Sequence, residues 1–272
     1  MSYVKRAARF DEKFNPPAFV VKQLQYEVVG GSTSYGIQSD SSDVDVYGFC
    51  IPPEYYLYPH LQGKIAGFGS APKEFNQYQV HRVNVNNTQC DFGIYGITRF
   101  FHLCMENNPN MVDLLFVPED CILTMTQVGK LVRDNRKLFL SKQSYHTFRG
   151  YVHGQLNLLK KPHANNSEKR QALVKKYGYD TKYLSHVCRL ALESLQILRE
   201  GDLDLRRHGE FLTQVRNGYF KDIAEGLNWF NDSQLEMEEA YNQSTLPERA
   251  SEEALHELLE ECLNLHYGRS RP

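Results

Sequence analysis

Two aspartates separated by one residue, Asp43 and Asp45, closely follow a Gly30-Gly31-Ser32 turn in the stretch VVGGSTSYGIQSDSSDVDVYGFC, residues 28–50. If Ser42-Asp43-Val44-Asp45-Val46 is a strand, alternation sends both carboxylates off one face. Hard oxygen ligands in this arrangement suit Mg2+, with Mn2+ as a substitute. Two such ions can clamp the attacking and leaving oxygens of an in-line phosphoryl transfer. Gly30 and Gly31 carry no Cβ, so their backbone can approach a phosphate closely. Ser32 adds a hydroxyl and an N–H where a short helix begins, its first amides aimed at an anion. A third carboxylate on a neighbouring strand would complete such a site. Asp91, within Thr88–Ile94, lies on a candidate strand, whereas its competitor Asp113 falls in Asn110–Leu115, which reads as helical. Singly, a GGS is a turn, a D-x-D is a solvated edge strand and Asp91 is a hairpin cap. Their order and spacing together argue for a site.

A second constellation lies on residues 181–199. Lys182, His186, Arg189 and Glu193 recur at spacings of four, three and four, forming one helical stripe. Leu184, Val187, Ala191, Leu195 and Leu198 form the opposite, core-facing stripe. Asp180 is placed as the N-cap. A Lys-His-Arg stripe facing the carboxylates would grip a triphosphate or an RNA end. The plainer alternative is a solvated face on which Glu193 pairs with Arg189. Weaker candidates are Arg149, Tyr151, His153 and Gln155, flanked by Lys142, Lys160 and Lys161. Phe139, Tyr145, Phe148 and Tyr151 interleave with these bases, and aromatics at helical spacing are more often core than a stacking platform.

These residues need elements to hold them. Tyr26–Val29 and Asp43–Cys50 read as neighbouring strands, and Pro52-Pro53 ends the second. Pro16-Pro17 excludes a long regular element near the N-terminus. Residues 54–76, rich in Tyr, Gly and Pro, read as an irregular insertion or lid. Gln77–Val85 and Thr88–Ile94 alternate about Asn86-Asn87, which predicts a hairpin. A helix starts at Thr98 and is stopped by Asn107-Asn108-Pro109. Helical periodicity then dominates 126–139, 144–160, 168–176, 181–199, 209–217, 220–243 and 251–266. The expected fold is α+β: a small mixed β-sheet core with flanking helices, followed by an all-helical C-terminal part. The boundary falls near 118–126, giving domains 1–122 and 123–272.

At 272 residues with a net charge of −2, bulk composition is that of an ordinary soluble protein. The charge is unevenly spread. Residues 130–190 hold fourteen Lys/Arg against three acids, whereas residues 232–262 hold ten acids and one Arg. The basic middle either meets phosphates or packs against the acidic end. No apolar run approaches the roughly 20 residues of a membrane span, and the first residues lack a signal-peptide h-region. Six scattered cysteines without a CxxC pair read as reduced thiols in a cytoplasmic protein. No Cys/His spacing fits a zinc site.

Gly31-Ser32 followed by Ser42-Asp43-Val44-Asp45-Val46-Tyr47-Gly48 resembles the signature of the DNA-polymerase-β nucleotidyltransferase superfamily. The stretch Gly178–Leu190, GYDTKYLSHVCRL, is similar to a helical motif of its bacterial and phage RNA-repair-associated branch. Asn108-Pro109, Gly150-Tyr151 with Gln155, and Leu246-Pro247-Glu248 extend the likeness over most of residues 25–260. The resemblance implies transfer of a nucleoside monophosphate from an NTP to a hydroxyl acceptor, an RNA end or tRNA, with release of pyrophosphate. It also implies two Mg2+ ions on Asp43, Asp45 and Asp91, and β/γ-phosphates held by Gly30, Gly31 and Ser32. Lys182, His186 and Arg189 would neutralise the triphosphate or the acceptor. The alternatives are a protein-adenylylating transferase of the antitoxin type and a non-catalytic nucleotide- or RNA-binding module. Nothing in the sequence sets an oligomeric state or selects the NTP.

Overall fold

The computed structural model describes residues 2–38, 43–57, 75–159 and 168–268, with the side chains of 157–159 and 169 left out. Ser42, most of the expected insertion (58–74), and Lys160 and Lys161 lie outside the described residues. Helices α1 (Tyr3–Phe10) and α2 (Ala18–Lys22) flank the Pro16-Pro17 break. Strand β1 (Leu24–Val29) leads through the single turn α3 (Gly31–Ser34) to β2 (Val44–Cys50) and the short α4 (Glu54–Leu57). The hairpin β3 (Gln77–Val85) and β4 (Thr88–Gly96) turns on Asn86 and Asn87, both with positive φ (51° and 66°). That is the left-handed pair a tight hairpin turn requires. Then come α5 (Ile97–Met105), α6 (Pro109–Phe116), β5 (Ile122–Met125) and α7 (Gln127–Asp134). Six further helices complete the described chain: α8 (Gln143–Leu159), α9 (Glu168–Tyr177), α10 (Thr181–Glu200), α11 (Gly209–Arg216), α12 (Ile223–Gln243) and α13 (Glu252–Tyr267).

The five strands form one mixed sheet in the order β3-β4-β2-β1-β5. Its β2–β4 pair is parallel and the others are antiparallel. The expected architecture is therefore present: a small mixed sheet with flanking helices, then a helical C-terminal region. The sheet continues past residue 122, because β5 pairs along β1 with Tyr26 opposite Met125. Alternation divides the sheet between two cores. Val46, Cys50, Cys90, Phe92 and Ile94 pack with α1 and α2 on one side. Tyr26, Val28 and Phe49 face the other way, into a core shared with Phe100, Leu115, Leu184 and Leu195. One continuous apolar core thus spans sheet and helical region. Asp45 and Asp91, an even number of residues from the inward-facing Phe49 and Tyr95 on their strands, leave the sheet on this helical side.

Polar anchors set the frame. Glu27, fully buried, accepts hydrogen bonds from the Val4 N–H at the start of α1 (2.8 Å) and from Thr124 Oγ1 (2.9 Å). Arg133 of α7 donates to the Leu115 and Val117 carbonyls at the end of α6 (3.2 and 2.7 Å). This is where a helix leaves its last carbonyls unpaired. Buried Asn107, in a left-handed turn (φ 52°), donates to Cys104, Met105 and Phe139 and accepts from the Ser141 N–H. All six cysteines are free and buried. No helix among the described residues is long and apolar enough to cross a membrane.

Candidate active site

Register on the parallel pair sets the site: Asp45 of β2 lies directly opposite Asp91 of β4. Asp43 immediately precedes β2, so the two D-x-D carboxylates and Asp91 cluster at one end of the sheet. Gly31 (φ 60°) lies against them, and a β-carbon there would fall 2.2 Å from Asp45 Oδ2. A glycine is needed for the backbone angle and for the close approach alike. The Gly30 N–H donates to the Asp45 carbonyl (2.8 Å), which ties the turn to β2. The amides left for an anion therefore lie after Gly30, at Gly31 and Ser32. Further along, Tyr47 lies against Gly30 and Gly93, where a β-carbon would come within 3.0 and 2.8 Å of its ring.

Burial raises the pKa of Asp45, and the neighbouring Asp91 carboxylate raises it further. Lys182 opposes that shift, Asp43 adds to it and His81 opposes it. A site that sets Asp43 and Asp91 beside a buried Asp45 and resists the charge of Asp45 has the chemistry of a cation site built from hard oxygen donors. Among the described residues, no three such groups already converge tightly enough to cage an ion. Asp91 is instead turned towards β3. There a bulge between Val80 and Val83 places Arg82 at φ 56°. The Arg82 N–H reaches Asp91 Oδ1 at 2.7 Å, and His81 Nδ1 lies 2.9 Å from Asp91 Oδ2. Asp113, the competitor for third carboxylate, is nowhere near this cluster's hydrogen bonds. It is buried, accepting from the Tyr35 hydroxyl and from Arg189 at 2.5 Å each.

Facing the carboxylates is the start of α10. Asp180 caps it, accepting from the Lys182 and Tyr183 N–H groups, and is paired with Arg170 at 2.6 Å. Lys182 is exposed at the cleft. Burial of its stem, then Arg170 and Arg216, lower its pKa, while Asp45 pulls the other way. His186 is pushed down to about 2, first by burial and then by Arg189, Arg170, Arg216 and Lys182. It is therefore a neutral ring. Arg189 Nη2 lies 3.0 Å from its Nδ1, and a guanidinium can only donate. The His186 proton accordingly resides on Nε2.

Arg189 departs from the expected substrate-facing role. Its side chain is 5% exposed and is held by Asp113, by Glu193 at 2.9 Å and by the Tyr35 hydroxyl at 2.6 Å. The stripe read from the sequence therefore passes from the cleft at Lys182 into the interior at Arg189 and Glu193. There α10 packs against α8, α11 and α12, while Tyr35 and Asp113 reach Arg189 from the first half of the chain. Arg216 enters the cleft in its place. Its Nη1 donates to the Ile37 carbonyl (2.9 Å), while its buried Nε has no partner. Sequence reasoning passed over Arg216, Arg170, Tyr35 and His81. Only His81 leaves a local trace, since His81-Arg82 interrupts the alternation of β3. The weaker aromatic candidates are structural: Phe139, Tyr145 and Phe148 are buried, and the Tyr151 hydroxyl accepts from Asn108 Nδ2 (2.7 Å).

A parallel pair carrying in-register carboxylates beside a glycine turn is the arrangement that the sequence likeness leads one to expect. Residues 7–261 match the sequence profile of the RNA repair pathway DNA polymerase beta family, and the chain belongs to that family. It is also similar to an uncharacterized 38.9 kDa protein of the nrdC-mobD intergenic region of Enterobacteria phage T4. The two are 27% identical over 129 residues, covering 46% of this chain and 35% of the phage protein.

Proposed function

We propose that the chain is a metal-dependent nucleotidyltransferase that moves a nucleoside monophosphate from an NTP to a hydroxyl at an RNA end. The observation that carries this reading is the register of Asp45 with Asp91, against Gly31 on one side and Lys182 on the other. In the reaction the acceptor oxygen bonds to the α-phosphorus. The bond from that phosphorus to the bridging oxygen breaks, and pyrophosphate leaves with the electron pair. The acceptor proton passes to solvent. Asp43, Asp45 and Asp91 would hold two Mg2+ ions, which when bound stabilise charge on the attacking and leaving oxygens.

The remaining roles belong to the chain's own groups. The Gly31 and Ser32 amides and the Ser32 hydroxyl orient the phosphates. Lys182, backed by Arg170 and Arg216, offsets the charge of the leaving pyrophosphate. His186 contributes its Nε2–H as a neutral donor. An RNA acceptor is supported by the family's place in RNA repair and by the basic stretch 130–190. That stretch meets the acidic end through Lys142–Glu248 (3.0 Å), and Lys130, Arg149 and Lys176 remain on the surface.

The test supplies the purified chain with each α-labelled NTP, Mg2+, and separate pools of RNA, DNA and protein. Label should enter RNA, and RNA affinity should fall steeply with salt. Label in the protein pool alone, with a flat salt response, would replace this reading with protein adenylylation.

A further inference from the structure

The carboxylates occupy one row across the helical-side face of the sheet, and the next row has a chemistry of its own. Tyr47 and Gly93 follow Asp45 and Asp91 by two residues and lie directly opposite one another on β2 and β4. Gln79 of β3 lies opposite Gly93 and is exposed. Alternation puts all three on the face of the carboxylates, about 7 Å further along the strands.

Two glycines make room for one ring. A β-carbon at Gly93 would fall 2.8 Å from Tyr47 Cδ1, and one at Gly30 would fall 3.0 Å from Cδ2. Tyr47 fills this slot between the glycine turn and β4, and it stays partly exposed. A phenylalanine would fill the slot equally well, so packing does not account for the hydroxyl. Neighbouring tyrosines have theirs engaged: Tyr26 donates to the Leu114 carbonyl (3.0 Å), Tyr35 donates to Asp113, and Tyr95 accepts from Gln79 Nε2 (3.3 Å). Among the described residues Tyr47 Oη has no hydrogen-bond partner, and the oxygen is not sealed from solvent. A half-buried hydroxyl left unpaired costs stability unless something satisfies it. The groups that act on it, after burial itself, are Asp45, Tyr95 and Asp91, and each raises its pKa.

The side of the cleft on which Tyr47 stands decides what can reach it. In-line transfer sets the attacking oxygen opposite the leaving phosphates. With those phosphates against Gly31 and Ser32, on the β1 side of Asp45, the attacking oxygen enters from the β4 side, beside Asp91. We propose that Tyr47 selects a ribonucleotide end as acceptor, its hydroxyl pairing with the 2′-hydroxyl next to the attacking 3′-hydroxyl of an RNA strand. This assignment rests on the transferase reading above and deepens it. The two hydroxyls are neighbours on one sugar, so a group one row from the carboxylates meets the second when the first is at Asp91. A phenol both donates and accepts, as a 2′-hydroxyl does, and that hydroxyl is what tells RNA from DNA at a given position. A deoxyribose end would leave Tyr47 unpaired.

Two RNA strands that differ only in a ribose or a 2′-deoxyribose at the 3′ end test this, by fluorescence anisotropy and as acceptors of labelled nucleoside monophosphate. The wild type should bind the ribose end about five- to tenfold more tightly, the worth of roughly one hydrogen bond, and its kcat/KM should favour that end by at least as much. Tyr47→Phe, which keeps the ring and should keep the melting temperature, should bring the ribose end down to the level of the deoxyribose end. A third strand, ending in a 2′-O-methyl ribose that has lost its donor, should bind the wild type no better than the deoxyribose end. A ribose preference of the same size in wild type and Tyr47→Phe, or none in the wild type, would overturn the assignment. A Tyr47-dependent preference in binding, with no transfer to any strand, would sink the transfer reaction and leave this recognition standing.

Discussion

Asp91 owes its orientation to a neighbour that carries no charge-pairing motif in the sequence. His81, 71% exposed, and the Arg82 N–H at the β3 bulge between them engage both Asp91 oxygens. Groups that hydrogen-bond a metal-binding carboxylate typically change metal affinity by roughly 10–100-fold when removed. His81→Ala should therefore weaken Mn2+ binding, followed by calorimetry, by at least about tenfold with little change in thermal stability. His81→Asn, whose amide nitrogen can take the place of Nδ1, should restore most of it. Unchanged affinity in His81→Ala would remove His81 from the site. At this scale the carboxylates were legible because a D-x-D after a glycine turn is a local pattern. His81, Arg170 and Arg216 were not, because each reaches the cleft from an element other than those that carry the motifs. Arg189 was read as substrate-facing because spacing defines a stripe but not what covers it.

Elements were legible where periodicity and punctuation agree. The Asn86-Asn87 hairpin, the Asp180 cap and the stop of α5 before Asn107-Asn108-Pro109 all stand where turn and cap chemistry put them. Gly48 shows what a pattern alone hides. A β-carbon there would lie 2.0 Å from the Tyr26 carbonyl, so this glycine of the motif serves strand packing. Helix α10 carries its own pH signature through His186. The folded pKa of about 2 lies below the ordinary value of 6.5, so below pH 6.5 the unfolded chain binds a proton that the folded chain refuses. Stability from this group is full above pH 6.5 and falls as pH drops towards 2. At pH 5 the loss is about 2 kcal/mol. His186→Gln should flatten the stability difference between pH 7 and pH 5 by about that amount in denaturant melts. An identical pH slope in both proteins would mean that His186 protonates in the folded state.

Across the whole molecule, sheet and helices are joined by one core and by one buried ionic knot. Arg189 of α10 binds Asp113 of α6, Tyr35 after α3 and its own Glu193, all buried. Burial raises both carboxylates, Glu193 well above its ordinary value, and Arg189 opposes the shift in each. Arg189→Met would leave two acids without a counter-charge, at a cost of about 3–5 kcal/mol. Because the folded acids hold protons more tightly than the unfolded ones, that cost should grow as pH rises from 5 to 8. Adding Asp113→Asn and Glu193→Gln should recover much of it. A cost independent of pH would show that the acids do not take up protons when Arg189 is absent. The knot also fixes Tyr35, and with it the turn that carries Gly31 and Ser32 to Asp45. The helical half is thus part of the site's frame, which explains why a boundary drawn at residue 122 separates groups that work together.

The most direct test of the central claim compares wild type with Asp45→Asn, a change that keeps size and removes the charge. Transfer of labelled nucleoside monophosphate to RNA is measured on both, with folding checked by melting temperature. The wild type should transfer and the variant should lose at least about a thousandfold, since stabilisation of charge at the reacting oxygens is the largest contribution asked of the site. Transfer by Asp45→Asn at the wild-type rate would contradict it.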